Sequence, residues 1–192
     1  MLYAPPPALL KPAALHAKAP ATFAVDFKTT KGTFVVTVHR AWAPRGADRF
    51  YNLVKNGFFD GDEFFRVIPG FVVQFGMSPY PAVSTAWENA TIKDDPVRTS
   101  NTPGTVTFAA ASQPNTRTTQ VFINLANNAG SLDKQRFAPF GKVTKGMSVV
   151  RKLFGGYGDT GTLEGQIASQ GNAFLKKHLP RLDAVLTARI EG

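Results

Sequence analysis

Segment 64–77, FFRVIPGFVVQFGM, constrains the fold of this chain more than any other stretch. Two short apolar runs, rich in aromatic and β-branched residues, flank Pro69-Gly70, a dipeptide that favours a turn. The segment therefore predicts a hairpin, with Arg66 in its first strand and Gln74 in its second. A guanidinium in an apolar strand costs free energy unless it has a partner or its head reaches water. Arg66 is therefore either a functional side chain or a strand-end arginine with a solvated head.

The composition indicates a folded globular domain. Of the 192 residues, 43% are hydrophobic and 18% are charged, which is typical of a globular protein with a sizeable core. The net charge of +9 comes from scattered residues, so it favours a solvated basic surface over a nucleic-acid site. No apolar run approaches the roughly 20 residues that would span a membrane. The absence of cysteine excludes disulfides and thiolate chemistry.

Residues 1–21 are rich in proline and alanine and lack a sustained periodicity, so they predict an extended N-terminal extension. The domain is expected over residues 22–192. Strands are predicted over 23–29, 32–38, 104–111, 120–124 and 184–190, in addition to the hairpin. Helices are predicted from Pro44 to Asn56, over 147–154 and briefly over 172–178, whereas 79–103 is expected to be loop. This pattern predicts a mostly antiparallel sheet closed into a barrel, with two main helices at its ends.

No common catalytic pattern is present in the sequence. The three histidines, His16, His39 and His178, are far apart and lack the spacing of metal ligands. The glycine-rich run 155–158 has neither the lysine nor the spacing of a phosphate-binding loop. No carboxylate pair lies in apolar surroundings. An enzyme built from this chain is therefore expected to need no nucleophile, metal or cofactor.

The run from Phe64 to Gln74 resembles the hallmark segment of the cyclophilins, which are peptidyl-prolyl cis-trans isomerases. The segment 120–124 (QVFIN), then Leu132-Asp133 and the segment 140–143 (FGKV), resemble further motifs of that family in the same order. The resemblance covers residues 22–190. It implies a closed antiparallel eight-stranded β-barrel capped by two α-helices, without metal or cofactor. It also implies isomerase activity on proline-containing segments of client proteins.

The resemblance assigns a role to each matching residue. Arg66 corresponds to the catalytic arginine, Gln74 to the glutamine that orients it, and Phe71 to an aromatic wall of the proline pocket. The other expected substrate-binding residues are Val72, Ala110, Gln120, Phe122, Leu132 and Phe137. Strict alternation along a strand would place Phe71 and Gln74 on opposite faces. The segment between them is therefore expected to bend or bulge.

Several positions depart from the best-known eukaryotic cyclophilins. Ser131 stands where they have a tryptophan, Phe137 where they have a histidine, Ala111 replaces an asparagine and Val72 a methionine. Losing the indole removes a donor and a large contact surface, so cyclosporin, the family's cyclic peptide inhibitor, is expected to bind weakly. The pattern resembles bacterial-type cyclophilins, many of them extracytoplasmic. A periplasmic or secreted location is therefore favoured over the cytoplasm.

Two other functions remain open at this point. A cyclophilin-like module could capture proline-containing segments without catalysing turnover, although Arg66 and Gln74 favour an enzyme because a pure binder would not need the arginine. A basic barrel that binds nucleic acid would need surface aromatics interleaved with Lys and Arg, whereas the aromatics here occur mostly in core-like patterns. We therefore expect a monomeric isomerase that binds no nucleic acid.

Overall fold

The computed structural model describes residues 4–192; Met1–Tyr3, the start of the predicted extension, lie outside the described residues. Residues 4–192 contain one eight-stranded antiparallel sheet in the order β3-β4-β6-β5-β7-β2-β1-β8. The strands are β1 Thr22–Thr29, β2 Gly32–His39, β3 Arg66–Ile68, β4 Val72–Phe75, β5 Thr105–Phe108, β6 Val121–Asn124, β7 Pro139–Lys145 and β8 Val185–Ile190. The mostly-β, antiparallel, eight-stranded architecture is thus confirmed.

The prediction of a closed barrel is wrong, because β3 and β8 are the two edges of an open sheet. The segment before β3 touches the segment before β8 through one isolated bridge, between Glu63 and Ala184. Two backbone hydrogen bonds flank it, from Phe64 N to Asp183 O (2.9 Å) and from Val185 N to Asp62 O (2.8 Å). β3 is only three residues long, so pairing ends before a ladder can form along β8.

Residues 4–192 contain six α-helices rather than the two main ones predicted. They are α1 Pro44–Lys55, α2 Pro81–Trp87, α3 Ala129–Leu132, α4 Met147–Val150, α5 Glu164–Gln170 and α6 Asn172–His178. α1 and α6 were predicted, whereas α2 lies in the expected loop and the helix expected over 147–154 ends at Val150. None of these helices has the length and apolar character needed to cross a bilayer.

The main core lies between the sheet and α1 and is built largely from phenylalanine rings. Phe27 at its centre stacks on Phe34 with ring centroids 4.9 Å apart and meets Phe75 edge to face at 5.8 Å. α1 contributes the fully buried Phe50 and Leu53. A second apolar cluster lies under α5 and α6. It fixes the segment that leads into α5 beside the start of β3.

Residues 4–21 are held against the domain instead of extending away from it. They form two turns of 3-10 helix, Pro7–Leu10 and Pro12–Ala14, and Leu9 is only 1% exposed in the main core. The Trp87 Nε1–H donates to the Leu9 carbonyl at 2.8 Å. The turns form because proline fixes φ near −65°, a value that suits a helical first turn as well as an extended chain. The division of the chain at residue 22 stays a prediction.

Candidate active site

The candidate site is built on a row of three side chains across neighbouring strands. Arg66 in β3 lies directly opposite Gln74 in β4, and Gln74 lies opposite Phe122 in β6. Residues that face each other in antiparallel strands point to the same side of the sheet. The register therefore brings a cation, an amide and an aromatic ring together on one surface.

An apolar wall lies beside this row. Val72, Phe122 and Leu132 are buried and form one cluster, against which Phe71 and Phe137 pack. The Phe122 and Phe137 rings meet edge to face with centroids 5.6 Å apart. Wall and polar row together line an open cavity of about 570 Å³. A space of this kind can hold a proline ring with one flank of its peptide.

Phe71 reaches this cavity because it is not part of a strand. β4 begins at Val72, and Phe71 closes the Pro69-Gly70 turn by donating its N–H to the Ile68 carbonyl at 3.0 Å. Gly70, at φ +74°, supplies the left-handed conformation that this turn requires. Strand alternation consequently does not apply between Phe71 and Gln74. The expected bend is a turn and not a bulge.

The polar edge of the cavity is a continuous chain of hydrogen bonds. Arg66 Nη1 donates to Gln74 Oε1 at 2.8 Å, Gln74 Nε2 donates to Gln120 Oε1 at 2.7 Å, and Gln120 Nε2 donates to Glu164 Oε2 at 3.1 Å. Arg66 also forms a bidentate ion pair with Asp159. The hydrogen bonds of this pair raise the pKa of Arg66 above its ordinary value and lower the pKa of Asp159 to about 2. The guanidinium is therefore cationic and fixed in orientation.

Eight of the nine residues expected at the site line this one cavity: Arg66, Phe71, Val72, Gln74, Ala110, Phe122, Leu132 and Phe137. Gln120 lines an adjoining cavity of about 510 Å³ and meets the site through Gln74. Ser131, which stands where the best-known eukaryotic cyclophilins have a tryptophan, also lines the main cavity. The catalytic and binding roles of these residues stay predictions.

Comparison with known proteins agrees with this geometry. The family model described as "Cyclophilin type peptidyl-prolyl cis-trans isomerase/CLD" matches residues 24–169. The chain belongs to this family. It is 38% identical over 143 residues to a peptidyl-prolyl cis-trans isomerase of Acinetobacter baylyi, covering 72% of this chain and 76% of that protein. It is 37% identical over 131 residues to peptidyl-prolyl cis-trans isomerase A of Dickeya dadantii, covering 65% and 67%. The predicted family and its isomerase activity are thereby confirmed.

The fold of this cyclophilin is shared with solved structures at low sequence identity. A crystal structure of a Cryptosporidium parvum cyclophilin-type peptidyl-prolyl cis-trans isomerase matches with a TM-score of 0.65 at 17% identity. The match covers 89% of this chain and 98% of that one.

Three contributors to the cyclophilin site were missed at the level of sequence. Asn101, fully buried in the expected loop 79–103, donates from Nδ2 to Asp133 Oδ1 at 2.7 Å and to the Phe137 carbonyl at 2.8 Å, so it fixes the wall segment. Asp159 and Glu164 line the same cavity, and they come from a segment for which no helix or strand was predicted. An Asp-Thr-Gly run after a glycine-rich turn is common in loops, and no periodic signal marks it. Its contact with Arg66 spans 93 residues of sequence.

Proposed function

We propose that this cyclophilin rotates X–Pro bonds in exposed segments of client proteins, with Arg66 as the donor and the wall of Val72, Phe122 and Leu132 as the proline pocket. The observation that carries the proposal is that the Arg66 guanidinium is fixed by hydrogen bonds at the edge of a buried apolar wall. Arg66 has a 21% exposed side chain and a partner on two of its edges, whereas Phe122 and Leu132 are 5% and 7% exposed. A cation facing such a wall suits a substrate that is apolar on one side of the reacting bond and polar on the other.

The mechanism follows from the electronic structure of the amide. Rotation breaks the conjugation of the prolyl nitrogen, which gains lone-pair density as the bond twists. A donor aimed at this nitrogen binds the twisted state more tightly than either planar state, which is what lowers the barrier. The apolar wall holds the proline ring while the other side of the bond turns, and it excludes water, which strengthens the hydrogen bond. Arginine suits the role because it presents fixed donors and stays protonated.

The direct test is the cis-to-trans isomerisation of a short Ala-Pro peptide with the purified full chain. We expect the chain to accelerate isomerisation in proportion to its concentration. Chemical-shift changes on peptide binding should map to the wall residues. Binding at the wall without acceleration would replace the enzyme by the non-catalytic binding module. Neither binding nor acceleration would reject both.

The pH dependence of catalysis is expected to be flat. Between pH 6 and 9 the Arg66–Asp159 pair stays fully ionised, because the pKa of Arg66 is raised and that of Asp159 is about 2. We therefore expect kcat/KM for the Ala-Pro peptide to change less than about twofold over this range. A bell-shaped profile would require a general acid or base that the proposal does not contain.

Unlike catalysis, the stability of the fold is expected to decrease as the pH rises through part of this range. Burial raises the pKa of Glu63 from 4.5 to about 7, and Glu63 does not line the cavity. Between these values the native state retains a proton that the unfolded state has lost. Raising the pH therefore lowers the free energy of unfolding. Urea unfolding at pH 5 and pH 8 should show this slope, and Glu63→Gln should reduce it while kcat/KM stays flat.

We also propose that cyclosporin binds this chain weakly because Ser131 supplies neither an indole donor nor its contact surface. Ser131→Trp should strengthen inhibition by cyclosporin at least tenfold and change kcat/KM for the Ala-Pro peptide less than about threefold. Inhibition of the wild type at the concentration that inhibits the Trp variant would contradict this. The measurement is the inhibition curve of each protein in the isomerase assay.

We propose that the chain acts as a monomer in a periplasmic or secreted location. The resemblance to bacterial-type cyclophilins supports the location. Within residues 4–192 the large hydrophobic side chains that are strongly exposed are Leu10 and Leu186, which is little for an obligate dimer interface. Light scattering of the purified chain and fractionation of cells that express it test the two statements separately.

A further inference from the structure

The donors of Arg66 can be accounted for individually. A guanidinium carries five N–H donors. Nε donates to Asp159 Oδ1 at 2.7 Å, Nη2 to Asp159 Oδ2 at 3.0 Å and Nη1 to Gln74 Oε1 at 2.8 Å. One donor on each terminal nitrogen is left for a substrate. Asp159 therefore occupies the side edge of the guanidinium, which is formed by Nε and Nη2. Each of the two terminal nitrogens keeps one unused donor.

The segment that carries Asp159 is itself fixed. Thr160, 5% exposed, donates from its hydroxyl to the carbonyl of Phe65, the residue before Arg66. The Gly161 N–H donates to Asp159 Oδ1 at 3.0 Å. A Cβ on Gly161 would lie 3.2 Å from Asp159 Oδ1 and 3.4 Å from Arg66 Nε, so the loop packs directly against the ion pair. Asp159 is consequently held at a defined distance from the strand that carries Arg66.

We propose that Asp159 is a positioning residue for catalysis, one that holds the Arg66 guanidinium by its side edge so that its remaining donors point to the prolyl nitrogen. The inference rests on the proposed function of Arg66. Gln74 alone contacts a single terminal nitrogen, about which the guanidinium plane can swing. The second, bidentate contact removes this freedom before substrate binds, as preorganised electrostatic catalysis requires.

The opposing view is that Asp159 forms an ordinary surface ion pair, since its side chain is 59% exposed and such pairs contribute little to stability. The chain contains a matched pair for comparison. Arg189 donates to both carboxylate oxygens of Asp60 at 2.7 Å, with side-chain exposures of 56% and 33%. Neither residue lines the site cavity. Both pairs are bidentate, through Nε and Nη2 in Arg66 and through Nη1 and Nη2 in Arg189. They also differ in location.

The test compares Asp159→Asn and Asp159→Ala with Asp60→Asn in the full chain. We expect both Asp159 variants to lower kcat/KM for the Ala-Pro peptide about tenfold. The peptide Kd, measured by chemical-shift titration, should change less than about twofold because the apolar wall is intact. Asp60→Asn should leave kcat/KM unchanged. Asp159→Glu, which keeps the carboxylate on a longer stem, should recover part of the loss.

A second measurement reports on the arginine itself. The Nε–H resonance of Arg66 should exchange slowly with water in the wild type and rapidly in Asp159→Ala, with an unchanged melting temperature. An active wild type together with Asp159 variants that are equally active, or more active, would overturn the inference and leave the proposed function standing. More active variants would show that the contact with Asp159 inhibits catalysis by Arg66. An inactive wild type would instead reject the proposed function.

Discussion

Arg66→Ala is expected to lower kcat/KM for an Ala-Pro peptide by about two orders of magnitude, which corresponds to about 2.7 kcal/mol of transition-state stabilisation. The reason is that alanine removes the donor aimed at the prolyl nitrogen while the wall that binds the proline ring stays in place. The folded state should survive, because Gln74 keeps its bond to Gln120 and Asp159 is exposed enough to be solvated. NMR exchange spectroscopy of the peptide measures the rate without a coupled protease.

Two variants distinguish the geometry of Arg66 from its charge. Arg66→Lys keeps the positive charge but cannot contact Gln74 and both oxygens of Asp159 at once, so most of the loss should remain. Arg189→Ala removes an arginine with a comparable bidentate partner outside the cavity and should leave kcat/KM unaltered. If Arg66→Ala retained activity within threefold of the wild type, another group would have to be the donor.

Gly76→Ala is expected to destabilise the fold by about 3 kcal/mol or more, with a fall in melting temperature of about 10 °C. Gly76 follows β4 at φ +104°, and a Cβ there would lie 2.5 Å from the Thr119 carbonyl and 2.8 Å from the Gln120 Cα. The added methyl group must push apart the backbones that carry Gln74 and Gln120. Activity should therefore fall together with stability. Chemical unfolding and the isomerase assay measure the two effects.

Gly70→Ala is the matched control for this substitution. Gly70 also has a positive φ, +74°, and belongs to the same hairpin, but nothing lies within 4 Å of its added Cβ. It should cost about 1 kcal/mol, the strain of the left-handed backbone alone. Similar losses for the two variants would show that the neighbouring strand yields to the methyl group, and the predicted clash would be wrong.

The hairpin that carries Arg66 and Gln74 could be predicted because its signals are local. Aromatic and β-branched residues around Pro69-Gly70 identify the hairpin of β3 and β4, and the hairpin sets Arg66 opposite Gln74. The third member of the row, Phe122, lies in a run of high strand propensity. What propensity cannot provide is the pairing of β4 with β6, which brings Phe122 beside Gln74. The resemblance to the family placed Phe122 in the same pocket, and the pairing itself was not predicted.

The unpredicted parts are those that depend on contacts distant in sequence. α2 has seven residues and buries only Val83 and Trp87, too few for a periodic signal. Leu9 lies in a proline-rich stretch whose composition favours an extended chain. It is nevertheless buried in the main core, where the Trp87 Nε1–H donates to its carbonyl. The barrel was expected to close because many short strands are typical of barrels and because the resemblance implied one. Here the sheet stays open, and one of its two edges, β3, has only three residues.

The topology also determines when this protein can fold. The hairpin of β1 and β2 forms early in the chain, but β2 pairs with β7 and β1 pairs with β8. A growing chain that ended before residue 139 would leave both edges of this hairpin bare, and β1 acquires its second neighbour only when residues 185–190 have been made. Contacts that are so distant in sequence slow folding and prolong the time for which unpaired strand edges are exposed to aggregation. An enzyme that catalyses a slow step in the folding of other proteins thus has a late step of its own, the pairing of its first strand with its last.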